Sequence, residues 1–546
     1  MIIRYHQGLA DENYDSIVIG SGMGGLATAG ILARHGQRVL VLEKHNIAGG
    51  MTHAFKRKRF EWDVGLNSIG NVHKSDHILR QAFDYITDGQ LEWNKISEPY
   101  EKVVIGEGDQ QVNINVKAGK DGFISSLVDA FPNERIAIET YVGHVCKVDE
   151  ASEFYFAERL LPRWIAKFLY PVMTKKFRYY SDQTTLELLE SITSNQALIK
   201  ALTATYGSYG LPPGQSSFAV HALVIFSYFD GANYPVGGTS KIANSISDVV
   251  SEAGGHVVTK AHVKNIVVEK NKAVGVEMAD GLVLRAKNII SNAGYKNTMQ
   301  SLLPPSHKKN VQSDQTQSSK IKNSAGHINL FIGLNGSAED LGLDDASHWV
   351  HKTGDSDQQF EQYLQDSTLD FPFVFISSPS TKDPNWSGER PNISTVTIIV
   401  PAAYAWFEKW KDKPWGKRGD DYDELKEIFK LRLIEELYRH WPKTKGKVAW
   451  QELSTPLSTV HFAQRAQGEV YGYDHTPERF QQRCLRPASS VRGLFLVGQD
   501  MVTLGVTASL TSAILATSLI LRKNMMTAIP KLLKQHSVQS SEEVKA

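Results

Sequence analysis

Cysteine is nearly missing from this sequence: Cys146 and Cys484 are the whole complement of a 546-residue chain, and they stand far apart. Two such residues build neither a disulfide framework nor a cysteine-based zinc site, and a reducing compartment fits them best. Net charge is nearly missing too. Lys and Arg number 60 against 59 Asp and Glu, leaving +1, so no global field draws in nucleic acid and none is expected as a partner. Long apolar runs are also lacking; the best candidate, 505–521, is dotted with Thr and Ser, whereas a membrane-spanning helix needs about 20 predominantly apolar residues. The opening residues MIIRYHQGLADENYD show no basic start followed by an apolar run, so a secretory signal is not expected and the cytoplasm is the expected location. No internal repeat, Ser/His/Asp order, carboxylate pair or metal-ligand cluster offers itself, and no metal site is expected.

What is present starts at once. Residues 15–19 form a short apolar run, glycines follow, an Ala/Leu-rich helical stretch runs to Arg34, and a second apolar run covers 38–42. That is a β-turn-α-β pattern. Its turn, Gly20-Ser21-Gly22-Met23-Gly24-Gly25, is a GxGxxG directly after a strand and opening a helix, the context that makes the pattern useful. Gly20 allows the tight turn, Gly22 lets the backbone approach a pyrophosphate, and Gly25 permits close helix packing. The pyrophosphate is expected on the helix N-terminus, where unpaired N–H groups favour anions. Glu43, ending the second strand, is placed to accept from ribose hydroxyls and disfavours a 2′-phosphate. The fingerprint alone does not separate NAD from FAD. Lys44 and then Gly49-Gly50-Met51 follow, a loop able to wrap a bulky cofactor closely, which points to a bound flavin.

At this length one hydrophobic core is not expected to serve the whole chain. Strand signals recur at 257–268, 274–278 and 282–290, with turns at 270–272 and at Asp280-Gly281, and again at 493–498 before a helix ending near Arg522 and Lys523. The expected fold is α/β: a Rossmann-type FAD-binding domain, discontinuous over 1–75, 231–300 and 485–525, with an inserted α+β substrate domain over 76–230 and 301–484. The stretch 74–230 reads as mostly helical, 301–484 as mixed, and 526–546 as a polar tail.

Three segments carry a resemblance: VIGSGMGGLATAGILARHGQRVLVLEKHNIAGG, TYGSYGLPPGQSSFAVHALVIFSYFDGANYPVGGTSKIA and FLVGQDMVTLGVTASLTSAIL, joined by SPSTKDPNW at 378–386 and WFEKWKDKPWGKRGDDY at 406–422. Together they resemble the amine-oxidase-like flavoproteins that include phytoene desaturases and carotenoid isomerases, and within them the retinol saturase branch. The resemblance implies that Val263 offers its backbone to adenine, that Gly498 and Asp500 hold the ribityl–pyrophosphate region, and that Gly505, Val506 and Thr507 open a helix facing the flavin's pyrimidine ring. Ala508-Ser509 departs from the Gly-Ala pair usual there. It further implies reduction of a double bond in a hydrophobic polyene or fatty-acyl substrate, with polyene desaturation or cis-trans isomerisation as the alternative. A non-catalytic prenyl-lipid-binding relative and an amine oxidase for small polar substrates are rival readings.

No second GxGxxG is followed by a strand, so NAD(P)H is expected only as a transient reductant, if not another carrier. The proton-donor candidates are His221, Tyr228 and Tyr234, residue types that deliver protons directly or through hydrogen bonds. A lone His in the apolar run 218–226 is more often a satisfied core residue. The segment 154–180, rich in aromatics and leucines and studded with Arg and Lys, reads either as peripheral contact with a membrane surface or as a buried helix pair with basic ends.

Overall fold

The computed structural model describes residues 1–308 and 321–543. Six parallel strands form one sheet in the order Ile2–Arg4, His256–Thr259, Val39–Leu42, Ser16–Ile19, Asn288–Ser291, Leu494–Leu496. Ser16–Ile19 and Val39–Leu42 are buried throughout, as parallel strands covered on both faces must be. Their alternation sorts the side chains: Val18 and Val41 meet the helices on one face, while Ile17, Ile19, Leu40 and Leu42 join the core on the other. On the first face Met23–Ala33 is buried over its whole length and packs between Ser240–Glu252 and Gly505–Leu521.

The strand signals at 257–268 and 282–290 each divide. Lys260 adopts a left-handed φ of +57°, so His256–Thr259 joins the parallel sheet while Val263–Glu269 pairs with Lys272–Met278 and Val283–Arg285 in an antiparallel meander. Asn288–Ser291 returns to the parallel sheet.

A seven-stranded sheet builds the second layer system, ordered Val448–Ser454, Gly326–Asn335, Ile393–Ala402, Val374–Ser377, Ser347–His351, Glu101–Ile105, Val112–Val116. Its last two strands come from within 74–230, where the other elements are mostly helices. Helix Ile78–Thr87 shifts the expected boundary at 75, because Leu79, Phe83 and Ile86 share a core with Val41 and Ile514. The expected polar tail is corrected as well. Residues Met525–Glu543 are helical, and Met525, Ala528 and Ile529 are buried in that same core. Full burial of a side chain such as Ile529 contributes about 1.5–3 kcal/mol, and Leu532 and Leu533 extend the docked stripe by another turn; residues 544–546 lie outside the described residues. Among the described residues no single helix is long and apolar enough to cross a membrane.

Candidate functional site

A cavity of about 1100 Å³ opens between the two sheets, beyond the roughly 300–1,000 Å³ of an ordinary small-molecule pocket. Gly20, Gly22 and Met23 line it, as do Glu43, Lys44, Gly50 and Met51. Val263, Gly498, Asp500, Gly505, Val506 and Thr507 line it from the distant pieces of the chain. Gly24, Gly25 and Gly49 do not; they hold the backbone around it. A Cβ on Gly25 would stand 2.1 Å from the Gly20 carbonyl oxygen, and one on Gly24 would stand 2.7 Å from the Gly498 nitrogen. Gly49, at φ +120°, donates its N–H to Ser21 Oγ at 3.1 Å. Glu43 accepts the Ser21 N–H and O–H on Oε2 at 2.8 and 2.7 Å and the His45 N–H on Oε1 at 2.7 Å, which fixes the carboxylate at the strand end.

The arrangement fits a dinucleotide on three counts. The turns are packed so closely that a Cβ is excluded: one on Gly50 would lie 2.7 Å from Gly22 Cα, and one on Gly22 would lie 2.6 Å from the side-chain Nδ2 of Asn292. Two helices, Met23–Ala33 and Gly505–Leu521, begin at the cavity with no side-chain cap, so their first N–H groups are open to an anionic or carbonyl oxygen. Asp500 is buried, and its Oδ1 has no partner while Oδ2 accepts the Tyr295 N–H at 2.8 Å. A buried acceptor left open at a cavity wall suits a ligand hydroxyl.

The proton-donor candidates separate. Tyr228 lines the cavity; its hydroxyl donates to the Ser68 carbonyl at 3.2 Å and burial pushes it up to about 12. His221 does not line the cavity and the structure corrects that expectation. It is fully buried, its Nε2 lies 2.7 Å from the Tyr141 hydroxyl and its Nδ1 3.0 Å from that of Tyr209, and burial pushes it down to about 3. Tyr234 is corrected likewise: it is buried away from the cavity with its hydroxyl donating to Asp63.

Sequence reasoning missed Asn292, whose amide lies between Gly22 and Gly498, and Ser512, whose Oγ accepts the Gly498 N–H at 2.7 Å. Asn292 directly follows a strand and precedes Gly294, the same strand-end signal that marked Gly20. It also missed the far wall, where Glu101, Trp349, Phe373 and Phe375 meet Leu223 and Tyr471. The Trp349 ring centroid lies 5.6 Å from that of Phe373 and 4.7 Å from that of Phe375.

Residues 23–520 match the model of the flavin containing amine oxidoreductases. An all-trans-retinol 13,14-reductase of Danio rerio is 35% identical over 534 residues, covering 94% of this chain and 87% of that protein. An inactive all-trans-retinol 13,14-reductase of the same organism is 32% identical over 561 residues, covering 98% and 90%. Among solved structures a putrescine oxidase variant superposes with a TM-score of 0.60 over 94% of this chain and 99% of that one, at 13% identity, a likeness of fold alone.

Proposed function

The chain belongs to the flavin containing amine oxidoreductases, and from that premise we propose that it is an FAD enzyme that saturates a carbon–carbon double bond of a hydrophobic polyene. The observation that carries this reading is the single cavity running from the glycine turns to an aromatic chamber. Identity alone does not carry it, because the active and the inactive relative stand at 35% and 32%.

Bound at the glycine turns, FAD supplies hydride chemistry. The chain's own residues do the rest. Gly20, Gly22, Met23, Gly24 and Gly25 with the uncapped helix receive the pyrophosphate; Glu43 takes the ribose hydroxyls; Lys44, Gly49, Gly50 and Met51 close over the cofactor; Val263 meets the adenine. Asp500 and Gly498 take the ribityl–pyrophosphate region, and Gly505, Val506 and Thr507 offer N–H groups to the ring. Trp349, Phe373, Phe375 and Tyr228 exclude water and orient the polyene. Transient NAD(P)H, or another carrier, is the reductant in this reading. The test is anaerobic: dithionite-reduced holoenzyme is mixed with a polyene alcohol. Flavin reoxidation and a product two hydrogens heavier by mass spectrometry are expected; flavin that stays reduced with every polyene offered sinks the proposal.

A second reading concerns how such a substrate arrives. Helix Arg163–Met173 leaves Trp164, Phe168 and Val172 70%, 74% and 78% exposed. That spacing gathers them on one side, and Lys167, Lys175 and Lys176 are exposed beside them. Aromatics at headgroup depth with cations toward anionic lipid form an interfacial element, so this helix is the proposed contact with a membrane surface. Trp164→Ser with Phe168→Ser is expected to abolish pelleting with phosphatidylserine vesicles. Unchanged pelleting rules the contact out.

A further inference from the structure

We propose that Glu101 is the carboxylic acid that gives the proton to the polyene, positioned by Trp349. This rests on the reduction proposed above and supplies the group it requires: hydride addition to one carbon of a double bond needs a proton at the other, and the aromatic chamber keeps water from providing it.

Glu101 opens the strand Glu101–Ile105, paired with Ser347 on one side and Val116 on the other. Its side chain is half-buried, and its open side faces the cavity. The Trp349 indole N–H donates to Oε2 at 3.0 Å, and no described hydrogen bond claims Oε1, the oxygen left to carry a proton. The other carboxylates of the cavity stand away from the rings. Glu43 is held by Ser21 and His45, Glu452 binds the Arg57 guanidinium at 2.8 and 3.2 Å, and Glu469 accepts the Gln467 N–H at 2.8 Å. Asp500 sits at the Gly498 turn, and Asp423 stands among Arg418 and Lys426 on the cavity wall. Glu101 alone stands against the Trp349, Phe373 and Phe375 rings.

The titratable groups facing Glu101 are Lys382, Tyr100 and Tyr228. Lys382 lies in the SPSTKDPNW segment that otherwise has no role here. It is fully buried, its Nζ donates to the Asn67 carbonyl at 3.0 Å and to the Ser347 and Ser377 hydroxyls at 3.2 and 2.7 Å, and burial lowers it to about 8. It forms no ion pair with Glu101, but its charge is felt there. Removal from water pushes the Glu101 carboxyl up to about 7, against the Trp349 N–H and the Lys382 charge. A carboxyl held near neutrality is suited to general acid work. The alternatives are not: burial pushes cavity-lining His327 down to about 4, leaving it neutral with only a very weakly acidic N–H, and Tyr228 up to about 12.

In the step, one alkene carbon receives the hydride that the reduced flavin supplies, and the π electron pair takes the proton from Glu101 Oε1. One C=C becomes CH–CH, two electrons leave the flavin, and Glu101 is left as a carboxylate. The Trp349 N–H and the Lys382 charge stabilise that anion, and solvent returns the proton after the product has left the chamber.

Glu101→Gln in the holoenzyme keeps the shape and the Trp349 acceptor but has no proton to give. Single-turnover reoxidation of the dithionite-reduced enzyme by a polyene alcohol is expected to slow about 100-fold or more at about pH 6, with FAD content and polyene affinity within about twofold. The wild-type rate falls as pH rises through about 7, because the acid form is lost, while the variant's does not. Lys382→Met removes a cation, so the fall moves to higher pH. Infrared difference spectra give a reading free of turnover: the protonated-carboxyl absorbance that vanishes near pH 7 in the oxidised wild type loses one band in Glu101→Gln, what remains belonging to Asp474, which burial also pushes up to about 7. If Glu101→Gln fails to fold, the shift of that band between wild type and Glu101→Asp decides. A variant within about threefold of wild type with the same pH profile, or a wild type without such a band, overturns the proposal. A wild type that reduces no polyene refutes the reduction instead, whatever the infrared result.

Discussion

The two parts of the cavity are made of different material. Around Gly24, Gly25 and Gly50 main chain meets main chain so closely that a Cβ is excluded, with the Asn292 amide wedged between Gly22 and Gly498. Around Glu101, Trp349 and Phe373 the walls are side chains, held by rings packed on rings. Main-chain donors at helix ends can hold a large cofactor with whatever residues surround them, provided a few positions lack a Cβ. A chamber of side chains takes its shape and chemistry from each residue present. The first part therefore fixes which cofactor is used, and the second which substrate.

One glycine from each part tests that contrast. Gly25→Ala sets a methyl 2.1 Å from a carbonyl oxygen of the very turn that binds the pyrophosphate. Backbone cannot swing aside, so the variant is expected to lose about 3 kcal/mol or more of stability and to purify without FAD absorbance. Gly207→Ala brings a methyl 2.5 Å from the Trp349 ring and 2.6 Å from the Phe373 ring, which can shift. It is expected to bind FAD normally while polyene affinity drops about tenfold, at about 1–3 kcal/mol of stability. Gly25→Ala protein with wild-type flavin content, or colourless Gly207→Ala protein, breaks the comparison.

The same contrast decides what the sequence reveals. The glycine turn, its strand and its helix are contiguous, so Gly20 to Gly25 and Glu43 are read together. Glu101 owes its position to pairing with Ser347, far along the chain; nothing within reach of the strand Glu101–Ile105 announces a cavity, and a segment surrounded by helices reads as one. Asn292 lies between these cases, since a strand running into a glycine is visible but the approach of its amide to Gly22 and Gly498 is not. The docked helix at 525 was legible but missed: Met525, Ala528, Ile529, Leu532 and Leu533 recur at helical spacing and pack on that core, while Pro530 among them and the charged end beyond read as a tail. His221 shows the opposite failure. A single polar residue in an apolar helix attracts a catalytic reading, yet its partners Tyr141 and Tyr209 come from other elements and complete a closed buried group.

His221 therefore sharpens the comparison from outside the cavity, with the smallest effect on activity. His221→Phe fills the space but leaves the Tyr141 and Tyr209 hydroxyls without their imidazole partner, at about 1–3 kcal/mol for each group left unsatisfied. Single-turnover reduction is expected to stay within about twofold of wild type. The pH dependence of unfolding carries the sign. Burial holds the folded imidazole down at about 3, below its ordinary 6.5, so the unfolded chain takes up a proton that the folded chain refuses. The stability this group contributes is fully present above pH 6.5 and drains away as pH falls toward about 3. In His221→Phe that part of the acid limb is absent: the variant starts less stable at neutral pH and loses less on acidification. Thermal unfolding followed from about pH 7 to about pH 4 measures both slopes. Parallel slopes would remove His221 from the buried neutral group, and a collapse in turnover with stability intact would return it to the chemistry.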